Sequence, residues 1–304
     1  MVVVFGTICL DRIRRIEHWP RQGEYLSVID EELVLGGEAA NTAFALGGWG
    51  CPYRLFGNAI DADLAARLDR HGLVHEPPQD AQIPVCDIYV TPDGERTMFG
   101  LGFDQMAETV DLDAMPTEAG AWFTGDMNFH GVGVAAARRA KAAGMRLYLM
   151  DLEPGSVAGI LGPGDWWQSS TDWYGRRSDT RFNLDWAAGY AREWGANVVL
   201  TDASEPMVVA RPGIEPIALR PFTPPAAHPG GPDATGAGDR FRAGMLRGLH
   251  QGNPVGECLA FAAAAAAMKI AYPGAVAPVE TAEAIARFRA RQPEVEAGFA
   301  RVAS

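Results

Sequence analysis

The chain has 304 residues, 48% hydrophobic and 21% charged, which is the balance of a globular protein long enough to bury a sizeable core. Lys and Arg number 26 against 38 Asp and Glu, a net charge of -12, so nucleic acid and anionic membrane are excluded as partners in the absence of any basic run. Cys9, Cys51, Cys86 and Cys258 form no CxxC pair and the histidines show no metal-ligand spacing, which excludes a disulfide framework and a zinc site and leads us to expect a reducing, cytoplasmic setting.

In chain order, the apolar start meets Asp11 too early for a signal peptide and has no basic segment before it. VVVF at 2–5 predicts a buried strand, and short apolar runs of the same kind recur at 53–57, 121–125, 146–151 and 197–202. Helical spacing falls between them at 39–46, 61–71, 132–143 and 184–194. This alternation predicts a mostly parallel sheet covered by helices on both faces. Two stretches break the rhythm: 24–35 and 83–101 read as extended arms, the second turning at Pro92-Asp93-Gly94, and together they predict a small separate β-layer. From Ala234 the chain turns helical, at 238–250, 255–271 and 281–291, with a last turn or two before Ser304. The longest apolar run, 259–268, is well short of the roughly 18 residues that span a bilayer. The six alanines at 262–267 inside it predict a helix packed closely on its neighbours.

The stretch DATGAGDRF at 233–241 follows the PGGP turn at 229–232 and opens a helix with Phe241, Met245, Leu246 and Leu249 at helical spacing. That places the amides of Gly236, Ala237 and Gly238 at a helix N-terminus, where unpaired donors and the helix dipole favour an anion. Asp239, in the first turn, either stabilises the helix start or takes a proton from a hydroxyl beside the anion. The combination points to phosphoryl transfer, with Asp239 deprotonating an alcohol and the three amides holding charge on the phosphoryl oxygens. No GxxxxGK[ST] occurs, so phosphate is not held by a P-loop.

DATGAGDRFRAG resembles the DTTGAGDxFxxG signature of the ribokinase-like (PfkB) carbohydrate kinases. GGEAANTAFALGGWG at 36–50 resembles that family's GGxxxNxAxxLxxLG, with GTICLD at 6–11 and WPRQGE at 19–24 before it, DGERT at 93–97 in the position of its lid hairpin and PGA at 273–275 in that of its late turn. The resemblance covers nearly the whole chain. It implies one domain over 1–304, a three-layer α/β/α sandwich with a mostly parallel central sheet and a small β-sheet lid formed by segments near 12–35 and 83–103. It also implies a sugar under the lid, ATP with Mg²⁺ against the carboxyl-terminal half, and room for a monovalent cation such as K⁺.

Carried onto this sequence, the resemblance puts Asp11 among the substrate hydroxyls with Gly37, Glu38 and Asn41 beside it; Glu38 is read as facing either substrate or solvent. Asp11 follows the first strand, and ligands of open α/β sheets gather beyond the carboxyl ends of strands. Buried acceptors there reject a substrate that lacks the matching hydroxyls. Asp126 and Asn128, after the strand at 121–125, are further substrate candidates. The nucleotide side departs from the family pattern. Its NxxE motif aligns with STDWYGRRSDTRF, following a strand expected near 171–174, where Arg176 and Arg177 either contact phosphate or form a solvated basic turn. TxGxxG becomes TDASEPM, with Thr201, Asp202 and then Ala203 in place of glycine; the base-side asparagine becomes Ala263; and DxNxR becomes DLEPG from Asp151.

The reading is an ATP-dependent sugar kinase. A nucleoside kinase of the same fold is the alternative, with Trp19, Tyr25, Tyr89 and Phe103 as aromatic surface; a catalytically weak sugar-binding sensor is another. The exposed edges and apolar face of the lid predict a homodimer through it.

Overall fold

The structure, a computed structural model, describes residues 1–92, 96–229 and 232–302. Asp93, Gly94 and Glu95 of the expected lid turn, Gly230 and Gly231 of the PGGP turn, and the two last residues lie outside the described residues. In chain order the strands are β1 (Val2–Gly6), β2 (Cys9–Arg15), β3 (Asp30–Gly36), β4 (Tyr53–Gly57), β5 (Val85–Val90), β6 (Arg96–Leu101), β7 (Trp122–Gly125), β8 (Arg146–Met150), β9 (Trp166–Ser170), β10 (Asn197–Asp202), β11 (Glu205–Arg211) and β12 (Ile214–Leu219). The helices are α1 (Glu38–Gly48), α2 (Ala62–Arg70), α3 (His130–Ala142), α4 (Pro154–Val157), α5 (Thr171–Tyr174), α6 (Thr180–Trp194), α7 (Ala237–His250), α8 (Val255–Lys269), α9 (Ala282–Arg289) and α10 (Pro293–Phe299).

Eight strands form one sheet in the order β12-β11-β10-β9-β8-β7-β1-β4, parallel from β4 to β10, with β11 and β12 added antiparallel. Every residue of β1 is buried because alternate side chains enter two cores. Val2 and Val4 face the core built with α1, α2, α7 and α8; Val3 and Phe5 face the core built with α3 and α6. The chain leaves β1 toward β4 and returns to β7 on the other side of β1, so the loops after β1 and β7 flank a switch point of the kind where α/β sheets bind ligands. Among the described residues no helix is long and apolar enough to cross a membrane.

The alanine run lies in α8, packed on α7 as its composition predicts. A Cβ added at Gly244 of α7 would stand 2.7 Å from Ala262 Cα, so the two backbones meet over a glycine and an alanine. Gly244→Val is expected to lower the unfolding free energy by about 2–3 kcal/mol through overpacking. Gly244→Ala costs less, because helix propensity returns up to about 1 kcal/mol. Urea unfolding of both variants checks the difference.

The second sheet, in the order β3-β2-β5-β6, is the lid. Its strand alternation separates two faces: Asp11, Ile13 and Arg15 of β2 share one face with Glu32 and Val34 of β3, while Arg12 and Arg14 share the other with Asp87 of β5. The first face looks across a cleft of about 820 Å³ toward Asp233, Ala234 and 273–276. Three sequence expectations are corrected. The extended arm at 24–35 is a strand only over Asp30–Gly36, and β2 rather than 24–29 supplies the middle of the lid. The strand expected near 171–174 is a helical turn, α5, capped by Ser170 Oγ; the strand ends just before it. The antiparallel pair β11 and β12 extends the sheet where no strands were expected.

Candidate active site

The amino terminus of α7 and that of α1 meet below the lid. Gly236 caps α7 at φ 74°, a left-handed conformation that glycine adopts without a side-chain penalty, and the turn brings Ala237 N within 3.1 Å of Ala234 O. That bond corrects the expected trio of free amides: Ala237 is engaged, whereas among the described residues the amides of Gly236, Gly238 and Asp239 have no hydrogen-bond partner. Asp239 does not cap its helix. Its buried carboxylate accepts from Asn41 Nδ2 at Oδ2 and from Arg242 Nη2 at Oδ1, both at 2.9 Å.

Asp233, the first acid of the same loop, is a fastener. It accepts from Thr235 N and Oγ1 (2.8 and 2.5 Å) and from Gly274 N (2.8 Å), and Arg96 of the lid pairs with it at 3.2 Å. Its carbonyl receives the buried Lys269 ammonium at 2.7 Å. These hydrogen bonds outweigh burial and hold its pKa below the usual carboxylate range. So one aspartate anchors the loop to the 273–275 turn and to the lid, and the other is left with its carboxylate at the mouth of α1.

Asp11 on β2 packs into the space left by Gly36, where a Cβ would lie 2.2 Å from its carboxyl carbon. Gly36 and Gly37 then lead directly into α1, so Asp11, Glu38 and Asn41 are neighbours by construction. Glu38 turns inward: Oε1 accepts from Asn128 Nδ2 at 3.4 Å, and Oε2 is buried without a partner, as is Asn41 Oδ1. Asp126 is buried behind them, its oxygens taken up by Thr7 N (2.7 Å), Thr7 Oγ1 (3.4 Å) and Asn128 N (3.1 Å). It therefore ties the loop after β1 to the loop after β7.

Burial sets the electrostatics. It pushes Asp239 up to about 6, against the opposing pull of Arg242 and the Asn41 amide, with Asp126 and Asp151 adding to the rise. Burial raises Asp11 to about 6 as well, with Cys9 Sγ–H, at 3.5 Å, pulling the other way. Glu38 is raised well above the usual carboxylate range, first by burial and then by Asp126 and Asp239. A carboxylate poised near neutrality beside unpaired amides can accept a proton while charge gathers on a bound anion.

A family model described as pfkB family carbohydrate kinase matches residues 184–282, which contain this loop, α7 and α8. Over this segment the chain resembles the PfkB carbohydrate kinases, and its fold is ribokinase-like. An "Uncharacterized sugar kinase" of Dictyostelium discoideum is 27% identical over 350 residues, spanning 94% of this chain and 96% of its own length. The nucleoside kinase of Methanocaldococcus jannaschii superposes with a TM-score of 0.76 at 17% identity, covering 95% of this chain and 98% of that one. The ribokinase of Arabidopsis thaliana, complexed with ribose and ATP, gives 0.74 at 18% identity over 95% and 98%. These likenesses support a phosphotransferase on a ribokinase fold.

At the residues expected to meet a nucleotide, the departures from the family pattern have local causes. Asp202 is spent within the protein, accepting from Thr171 Oγ1 and Ser178 N, each at 2.7 Å. Thr201 Oγ1 reaches Ser169 O at 3.4 Å. Ala203 takes φ 48°, the left-handed conformation expected of the glycine it replaces. Ala263 is buried within α8. Arg176 lies 4.1 Å over the Phe182 ring and 3.6 Å from Asp179, while Arg177 stands 3.9 Å from Asp172; both are exposed. Sequence reasoning missed Arg242, Thr7 and Gln168, whose Nε2 donates to Gly238 O at 3.2 Å. The available signal was a second arginine on a helix face of Phe241, Met245 and Leu246.

Proposed function

We propose that the chain transfers the γ-phosphoryl group of ATP to a hydroxyl of a small sugar. The observation that carries this reading is the pairing of the Asp239 carboxylate with the unbonded Gly236 and Gly238 amides in one turn, tied through Asn41 to the helix that begins beside Asp11. Asp11, Glu38 Oε2 and Asn41 Oδ1 form an array of acceptors suited to a neutral polyol. Gly37 lets that turn approach the substrate, and Asp126 and Asn128 hold its floor. Asp239 takes the proton of the acceptor hydroxyl as its oxygen attacks phosphorus, the bond to ADP breaks, and the amides stabilise the transferring oxygens.

The nucleotide lies, on this reading, against the loop Thr201, Asp202, Ala203 and the part of α8 around Ala263, with Arg176 and Arg177 at its rim. Among the described residues no group of three or more His, Cys, Asp or Glu side chains is arranged to hold a metal ion. Mg²⁺, bound with the nucleotide, would neutralise part of the phosphate charge. A monovalent cation such as K⁺ is part of the same reading. The deciding experiment incubates the protein with Mg-ATP and a panel of sugars and nucleosides and reads phosphorylated product.

A nucleoside is the second reading, favoured by the cleft between the lid and the 273–276 turn, whose walls include Ile13, Ile16, Val34, Val90, Ile270 and Val276. Product from nucleosides alone would select it. Stabilisation by a sugar without product would instead mark a sensor. Trp19 stacks on Phe99 with Tyr89 edge-on to both, and Tyr25, Ile29, Met98 and Leu101 lie exposed around the lid, a surface suited to a second copy. Light scattering is expected to find a dimer at micromolar concentration, and Ile29→Lys with Leu101→Lys a folded monomer.

A further inference from the structure

Arg242 lies one helical turn after Asp239 and is wholly buried, at 0% exposure. The GAGDxFxxG signature leaves its position open, and the phosphoryl transfer described above gives it no step. Its guanidinium is gripped from two helices: Nε donates to Thr42 Oγ1 (2.9 Å), and Nη2 to Glu38 O (2.7 Å) and to Asp239 Oδ1 (2.9 Å). Nη1 is buried with no partner among the described residues.

The groups facing Asp239 come from every element around it. Arg242 and Arg240 share α7, Glu38 and Asn41 lie on α1, Asp126 follows β7, Asp151 follows β8, and Lys269 lies on α8. Burial drives Asp239, Glu38, Asp126 and Asp151 toward their protonated forms, and Arg242 draws each of them back. A guanidinium stays charged and presents a rigid planar fork, where an ammonium would offer a single point charge. With Oδ1 held by that fork, Oδ2, which meets the Asn41 amide, is the oxygen left to receive a proton.

We propose that Arg242 is a positioning residue: its fork fixes which oxygen of Asp239 faces the acceptor hydroxyl and holds a fixed positive charge against that carboxylate. This rests on Asp239 being the base. A helix staple between α1 and α7 would also bury an arginine, but its removal would cost stability and leave the pH dependence of the reaction unmoved.

The test uses the full chain, Mg-ATP and the acceptor found in the substrate panel, and follows kcat/KM through the acid limb of the pH profile. Arg242→Met is expected to move that limb upward by about one to three pH units, since an opposite charge at contact distance is lost. Arg242→Lys keeps the charge and loses the fork; its limb moves less, while kcat falls about ten- to hundredfold with the acceptor KM unchanged. If Arg242→Met does not fold, Arg242→Lys decides alone: a kcat equal to the parent's overturns the proposal. Two folded variants with the parent limb, alongside an inactive Asp239→Asn, make Arg242 a staple only. Turnover in Asp239→Asn would instead bring down the functional reading and this inference with it.

Discussion

Asp239→Asn is expected to lower kcat by about 10²–10⁴-fold, the usual worth of a positioned general base, while the acceptor KM stays within a small factor. Asparagine preserves shape, and the surroundings can adapt to it. Its oxygen still accepts from Arg242, and its amide replaces the oxygen that faced Asn41 Nδ2. Asn41 can then rotate its own oxygen, which is buried and unpaired, toward the new donor. Thermal unfolding should therefore find the variant folded, and the loss of rate falls on the proton acceptor rather than on the frame. The parent enzyme supplies an independent check. Burial sets the Asp239 pKa at about 6, and the base must be ionised to work, so kcat/KM should fall as pH drops through that value. A limb near pH 4 together with near-parental turnover in Asp239→Asn would remove Asp239 from the chemistry.

The central sheet was legible where strands are buried on both sides. VVVF, YRLFG and NVVLTD are apolar runs because two cores claim alternate residues, and they appear as β1, β4 and β10 at or within a residue of their expected bounds. β9 was illegible because WWQSS ends in Gln168, Ser169 and Ser170, which the fold uses for hydrogen bonds to Tyr148, Asp151 and Asp172 rather than for apolar packing. β2 was illegible for another reason: CLDRIRR carries its charges because one lid face pairs Arg12 and Arg14 with Asp87 while the other presents Asp11 to the site. Edge pairs such as β11 and β12 carry prolines, which sequence patterns discount.

The two signatures were legible as motifs, but not the division of labour inside them. DATGAGD seemed to crowd charge beside an anion, and the structure separates its acids: Asp233 is saturated by Thr235, Gly274 and Arg96, whereas Asp239 keeps an oxygen at the mouth of α1. Ala237 likewise looked like the centre of an amide cradle and closes a turn instead. The Asn41–Asp239 and Arg96–Asp233 pairings join distant parts of the chain, and spacing along a sequence carries no trace of them. The unpaired atoms left by this arrangement, Glu38 Oε2 and Asn41 Oδ1, are what a polyol would satisfy.

That imbalance has its clearest consequence at Asp11. Asp11→Asn removes a charged acceptor from the proposed substrate cradle, and the acceptor KM is expected to rise about 10- to 150-fold, corresponding to about 1.5–3 kcal/mol for a hydrogen bond to a charged group. The same substitution should stabilise the protein without substrate. Burial lifts the Asp11 pKa from 3.8 to about 6, so the unfolded chain ionises this group more readily than the folded one does. A carboxyl raised in this way favours folding most below the unfolded value and loses that advantage as pH climbs through the folded value. The stability gap between Asp11→Asn and the parent should therefore be small near pH 4, widen between pH 4 and 6, and level off above it at about 2–3 kcal/mol in favour of the variant. Cys9 Sγ–H can donate to the asparagine oxygen as it does to Asp11, so the substitution strands no partner. Urea unfolding at pH 4 and pH 8 measures the gap, and acceptor titration measures KM. A variant less stable than the parent at pH 8, or equally shifted at both pH values, would mean that Asp11 is held for the fold; a gain in stability with a loss of affinity means that the fold tolerates a buried charge because the substrate needs it.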